Sequence, residues 1–143
     1  MQFPFLNRFS VRKITVGTAT ETGQRARQVI EHLLGELPEL LMVCVVEVPS
    51  GRVLASYTTA SALNPNQISL RYAKLLQLTD RALATQQLPG GPLTEMALLL
   101  DEQLHLVRPV SQGQGYCFLA VRSADTNLGM ASEVLRRHTA RLG

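Results

Sequence analysis

The chain has 143 residues, 45% of them hydrophobic, with 14 basic and 11 acidic side chains and a net charge of +3. Such a length fits one domain that buries roughly 70% of its unfolded surface, enough to fold without disulfide or metal staples. Twelve of the 14 basic residues are Arg, scattered along the chain with only 4 Phe and 3 Tyr beside them, so the concentrated basic and aromatic footprint of a nucleic-acid binder is missing.

No uninterrupted apolar run reaches the roughly 18 residues that would span a bilayer, and the N-terminus lacks the continuous hydrophobic segment of a signal peptide. No membrane span is expected, and the expected location is the cytoplasm. Cys44 and Cys117 each lie inside an apolar strand-like run, which suits buried free thiols in a reducing compartment; a disulfide would require the two to be neighbours.

In chain order, residues 1–20 form a basic, apolar arm that holds Phe3, Phe5 and Phe9, and residues 21–143 form the domain. Disordered tails are poor in aromatics, so either the arm docks on its own domain or a partner, with Phe9, Val11 and Lys13 alternating as in a short strand, or it is a loosely held terminus. Thr22 to Leu37 places Ala26, Val29, Ile30, Leu33, Leu34 and Leu37 at intervals of three and four, the stripe of a surface helix. Gly35 and Pro38 end it. Leu41 to Thr59 then reads as a near-continuous apolar strand, a Pro-Ser-Gly-Arg turn and an alternating strand, a hairpin at the centre of a sheet.

Asn64-Pro65-Asn66-Gln67 is a helix start: Asn64 caps, Pro65 takes the first helical position, Gln67 closes a capping box, and Leu63 staples to Ile68. The helix runs to about Gln86, with Ile68, Tyr72, Leu75, Leu76, Thr79, Ala82 and Leu83 as its core stripe. Opposite lie Asn66, Leu70, Ala73, Gln77 and Ala84, flanked by Lys74, Asp80 and Arg81. A centre line of small, uncharged residues permits a second helix to approach, whereas a plain solvated face carries more charge.

Leu88-Pro89-Gly90-Gly91-Pro92-Leu93 is a turn, followed by strands at Thr94 to Asp101, Leu104 to Val110 and Tyr116 to Arg122. Met96 to Leu100 is apolar on both faces, so this strand is either central or an edge that pairs with another chain. Asp125 or Ser123 caps a last helix in which Leu128, Ala131, Leu135 and Leu142 share a face. Arg136, Arg137, His138 and Arg141 crowd its end, where cations complement the negative helix terminus or form an anionic docking patch.

Catalytic constellations are missing. His32, His105 and His138 fall in three elements without helical zinc spacing. Gly90-Gly91 and Gly113-Gln114-Gly115 lack the Lys-Ser/Thr or the following helix of a phosphate loop. Asp101 and Glu102 are neighbours in extended chain and point to opposite faces. No catalytic residue, metal or cofactor is expected.

The order helix, two strands, long helix, three strands, helix, with LMVCVVEVPSGRVLAS, LHLVRPVSQGQGYCFLAVRS and the Asn127-Leu128-Gly129 entry to the last helix, resembles the Roadblock (dynein light chain) family from about Leu33 to Leu142. The resemblance implies an α+β, profilin-like sandwich: a five-stranded antiparallel sheet in the order 2-1-5-4-3, the long helix on one face and the terminal helices on the other. It further implies a non-catalytic homodimer, formed by the third strand and the long helix, that serves as a platform for a small Ras-like GTPase or a signalling assembly. The implied self-contact falls on Asn66, Leu70, Ala73, Gln77 and Ala84 of the helix and Met96, Leu98 and Leu100 of the strand. The alternative is a small-ligand sensor of profilin-like fold, with Tyr57, Tyr72 and Cys117 in its pocket.

Overall fold

Strand β2 (Met42–Glu47) is buried from Met42 to Val46 because its side chains alternate between two separate cores. Val43 and Val45 enter one, and Met42, Cys44 and Val46 the other. The computed structural model describes residues 14–59, 64–85 and 89–143. The expectations for Phe3, Phe5, Phe9, Val11 and Lys13, for Leu63 in the staple, and for the helix end at Gln86 lie outside the described residues.

In chain order the elements are β1 (Thr15–Val16), α1 (Glu21–Glu36), β2, β3 (Val53–Thr58), α2 (Pro65–Thr85), β4 (Met96–Leu99), β5 (Gln103–Val110), β6 (Gly115–Arg122) and α3 (Leu128–Thr139). The antiparallel sheet runs β1-β3-β2-β6-β5-β4. Five of these strands keep the expected order, but among the described residues the sheet has six strands, not five. The addition is β1, whose Thr15 and Val16 pair with Ser56 and Ala55. The next residue holds it there: Gly17 donates to the Leu54 carbonyl at 2.8 Å, and a Cβ on Gly17 would stand 2.1 Å from the Val53 oxygen. Only glycine admits that approach. Residues 14–20, expected in the arm, thus join the fold: Ile14 packs on the core, and Thr20 Oγ1 caps α1 by accepting from Gly23 N at 3.3 Å.

Helices α1 and α3 cover one face, burying Ala26, Val29, Ile30 and Leu33 with Ala131, Val134 and Leu135. The cap of α3 is Asn127, whose Oδ1 accepts from Met130 N at 2.8 Å, in place of Asp125 or Ser123. Asn64 caps the start of α2 as expected, its Oδ1 accepting from Asn66 N at 3.0 Å.

Among the described residues helix α2 is the helix that covers the other face, over β2 and β3. Leu76 is buried and Ile68, Tyr72, Thr79 and Leu83 are half-buried, as expected. Leu75 and Ala82, expected in the core, are exposed, while Ser69 and Ala73 are each 2% exposed. The Tyr116 hydroxyl donates to the Ser69 carbonyl, which holds the helix backbone close to β6 where the small side chains of Ser69 and Ala73 are buried. Burial pushes the Tyr116 phenol far above its ordinary pKa, so it stays a donor at every pH the fold survives. Removing that hydroxyl with Tyr116→Phe should cost about 1 kcal/mol and lower the melting temperature by roughly 2–5 °C, read by calorimetry, without changing the helix content.

Candidate interaction surface

Among the described residues strand β4 ends the sheet with β5 as its single neighbour, so of the two alternatives for this apolar strand it takes the edge position. Leu98 stands opposite His105 and Met96 opposite Val107, on the face that α2 shares; Ala97 and Leu99 point to the other face. Met96 and Leu98 are half-buried and Leu99 is 65% exposed. Apolar side chains on both faces of an open strand edge are what a pairing strand presents. The strand is only 4 residues long, shorter than the expected Thr94 to Asp101.

The orientation of α2 follows from two contacts. Tyr72 reaches across to β5, its hydroxyl 2.9 Å from His105 Nδ1, while a Cβ on Gly51, in the β2–β3 turn at φ +75°, would meet Leu70 Cδ1 at 2.9 Å. Leu70 therefore leans toward the turn, away from β4. At about 100° per residue, Leu75 lies on the opposite flank, the one toward β5 and β4, and Leu78 at the solvent apex. They are 37% and 62% exposed.

Asn66, Leu70, Gln77 and Ala84 share Leu70's flank and are exposed, but Ala73 is buried in the core under the helix. The structure thus brings Met96 and Leu98 together on one surface and keeps the predicted helix residues off it. Leu100, 49% exposed, follows β4 and donates its N–H to the Gln103 carbonyl at 2.9 Å.

Ion pairs engage most of the described cations. Arg25, Arg27, Arg52, Arg108, Arg122, Arg136 and Arg137 each stand within 4.0 Å of a carboxylate. Arg141 lies on the His32 ring at 3.0 Å. The expected docking patch of Arg136, Arg137 and Arg141 is therefore largely occupied within the fold: Arg136 by Glu133 at 2.6 Å and Arg137 by Glu36 at 2.7 Å. Among the described residues the cations left without a partner are Arg71, Lys74 and Arg81, all exposed on α2. With Leu75 and Leu78 they occupy one arc of about 120° opposite the buried line of the helix.

His32 and His138, far apart in sequence, meet where α1 packs on α3, their rings stacked with centroids 5.7 Å apart. His138 Nε2 also bonds Glu36. No group of three or more His, Cys, Asp or Glu side chains among the described residues could hold a metal ion. Cys44 and Cys117 are buried free thiols, and burial raises the Cys117 pKa to about 12. Tyr57, Tyr72 and Cys117, the residues considered for a ligand pocket, are dispersed: Tyr57 and Cys117 pack in the core under α1 and α3, and Tyr72 in the core under α2. An open cleft of about 450 Å³ between α2 and the β5–β6 turn, lined by Leu76, Asp80, Leu93, Arg108 and Val110, includes none of the three.

No protein-family model and no curated protein matches this sequence. Solved structures do match its fold. Myxococcus xanthus MglB aligns over 87% of this chain and 90% of its own, with a TM-score of 0.75 and 10% identity. The gliding protein MglB from Thermus thermophilus aligns over 90% and 93%, at 0.70 and 15%. A Roadblock/LC7 domain from Streptomyces avermitilis aligns over 80% and 88%, at 0.63 and 16%. The chain has the Roadblock fold.

Hydrogen bonds from His138 and Arg137 hold the Glu36 carboxyl below its ordinary pKa. Its contribution to stability is present above the ordinary value of 4.5 and is lost as pH falls through the lower native value. Glu36→Gln should therefore lower the melting temperature at neutral pH, and the gap between variant and parent should close on acidification through that window, followed by thermal melts across pH.

Proposed function

We propose that two copies of this chain associate through β4 and the Leu75 flank of α2 to form a non-catalytic, cytoplasmic platform that binds a small Ras-like GTPase or a comparable signalling protein. The observation that carries this reading is the outer stripe of α2. Arg71, Lys74 and Arg81 have no ion-pair partner among the described residues while seven other cations do, and they flank Leu78, which is 62% exposed at the apex of the helix.

An apolar centre rimmed by unpaired cations fits a partner with an apolar patch inside an acidic rim. Two copies related by a two-fold axis through the β4 edge would extend the sheet across the axis and set both α2 stripes on one surface, doubling the charge the partner meets. The partner class rests on the Roadblock resemblance and on the likeness to a gliding protein. The cytoplasmic placement is supported by Cys44 and Cys117, both buried as free thiols, as suits a reducing compartment. Among the described residues no helix is long and apolar enough to cross a membrane.

The test has two arms. In light scattering, the parent should have the mass of a dimer, and Leu75→Glu or Leu98→Glu should yield monomers; recording melting curves beside the masses separates dissociation from unfolding. In equilibrium binding to GTP-loaded and GDP-loaded small GTPases, reversing Arg71, Lys74 and Arg81 to Glu should weaken binding by at least about tenfold at unchanged mass, with the loss shrinking in high salt. Equal failure with every GTPase of the source genome would sink the partner assignment, and a monomeric parent would sink the platform.

A further inference from the structure

His105 lies on β5 directly opposite Leu98 of β4, at the border of the proposed self-contact, and is only 9% exposed. Both ring nitrogens are engaged. Nδ1 is 2.9 Å from the Tyr72 hydroxyl and Nε2 is 2.7 Å from Gln103 Oε1. The amide oxygen has no proton to give, so Nε2 carries the ring proton and Nδ1 accepts from Tyr72. Phe118 closes the site edge-on, with centroids 5.2 Å from His105 and 4.8 Å from Tyr72. The cluster is thus complete for a neutral imidazole. A second proton, at Nδ1, would force the Tyr72 hydroxyl to turn and accept, leaving its own hydrogen without a partner.

Among the described residues no negative charge compensates that proton. The elements packed against the ring present Tyr72 from α2, Leu98 from β4, Phe118 and Ala120 from β6, and Gln103 and Val107 from β5 itself. Tyr72 is the titratable group among them; on the same face Arg122 of β6 stands opposite Gln103 and pairs with Asp125 at 3.9 Å, and a cation there offers a second positive charge no compensation. Burial alone lowers the pKa of His105 and raises that of Tyr72, so both are held neutral.

In the single chain the shell around the ring is still wet on one side, since Tyr72 and Leu98 are half-buried and Leu75 is 37% exposed. A second copy seated on β4 and the Leu75 flank would dry that shell. Resting on the self-association reading above, we propose that the Tyr72–His105–Gln103 cluster is a proton switch on that association: the neutral ring is compatible with the covered face, and the protonated ring opposes it. The dimer then binds protons less readily than two free chains, and by linkage acid shifts the equilibrium toward monomer. Each dimer carries two such rings, so the dependence approaches two protons per dissociation event.

The experiment measures the dimer dissociation constant of the full chain by sedimentation from about pH 8 to about pH 5.5, with a melt at each pH. For the parent we expect a rise of at least about tenfold on acidification while the fold persists. His105→Gln keeps one acceptor for Tyr72 and one donor for Gln103 but carries no titrating proton, and its constant should stay flat. Tyr72→Phe removes the donor that reserves Nδ1 as an acceptor, so its weakening should begin at higher pH than in the parent. A dimer whose constant is the same at both ends of the range, a His105→Gln profile with the parent's slope, or a Tyr72→Phe profile superposed on the parent's overturns the switch while leaving the self-association reading standing. A chain that is monomeric at every pH overturns both.

Discussion

The pair β2–β6 cannot meet water on either side. Met42 to Val46 and Gly115 to Val121 are buried without interruption, and the two strands run in continuous register from Met42 opposite Ala120 to Glu47 opposite Gly115. A sheet built around such a pair needs cover on both faces. Two helices supply it on one side and a single helix on the other, and that asymmetry shapes the molecule. Because α2 packs over β2 and β3, the shared face thins out toward β5 and β4, where Tyr72, His105 and Leu98 sit at the boundary between core and surface. The candidate interaction surface is where the covering of a two-sided sheet runs short.

The central hairpin, the stripe of α1 and the order of five strands were legible because burial writes them locally, as alternation, period and turn residues. Strand β1 was not, because Thr15 and Val16 carry no pattern of their own and are held by the close approach of Gly17 to β3. The phase of α2 is hidden for a related reason. Leucines at 70, 75, 76, 78 and 83 surround the helix, so period alone leaves its rotation open, and the choice was made by a long-range contact: Tyr116 against the Ser69 carbonyl, 47 residues away in sequence. That contact takes Ala73 inward and turns Leu75 out.

Charge was legible by position and illegible by partnership. Arg136 and Arg137 look like a free patch in the sequence, yet Arg137 meets Glu36 across 101 residues. Arg71, Lys74 and Arg81 look like ordinary flanking charges and turn out to be the ones left over. Surface ion pairs add little to stability, so their main consequence here is to leave a net positive field on one helix face. A field of one sign on an exposed apolar stripe opposes close packing of two such stripes and favours an acidic partner, which is why the flank of α2 and its apex are suited to different neighbours.

The edge of β4 is too short to hold two chains by itself. Four residues paired across a two-fold offer a few backbone hydrogen bonds, each worth roughly 0.5–1.5 kcal/mol net, against a cost of association of at least about 4 kcal/mol. The balance must come from apolar area, which among the described residues on this side of the sheet is supplied by Leu75, Met96 and Leu98, with Leu100 following at the end of β4 and the Tyr72 ring beside them. An interface built on so few contributors, as in the proposed self-association, would sit close to its threshold. A change of about 1.4 kcal/mol in one of them alters the association constant tenfold, so in the proposed dimer the protonation of a single buried imidazole would weigh on the whole, which it would not do in a broad hydrophobic interface.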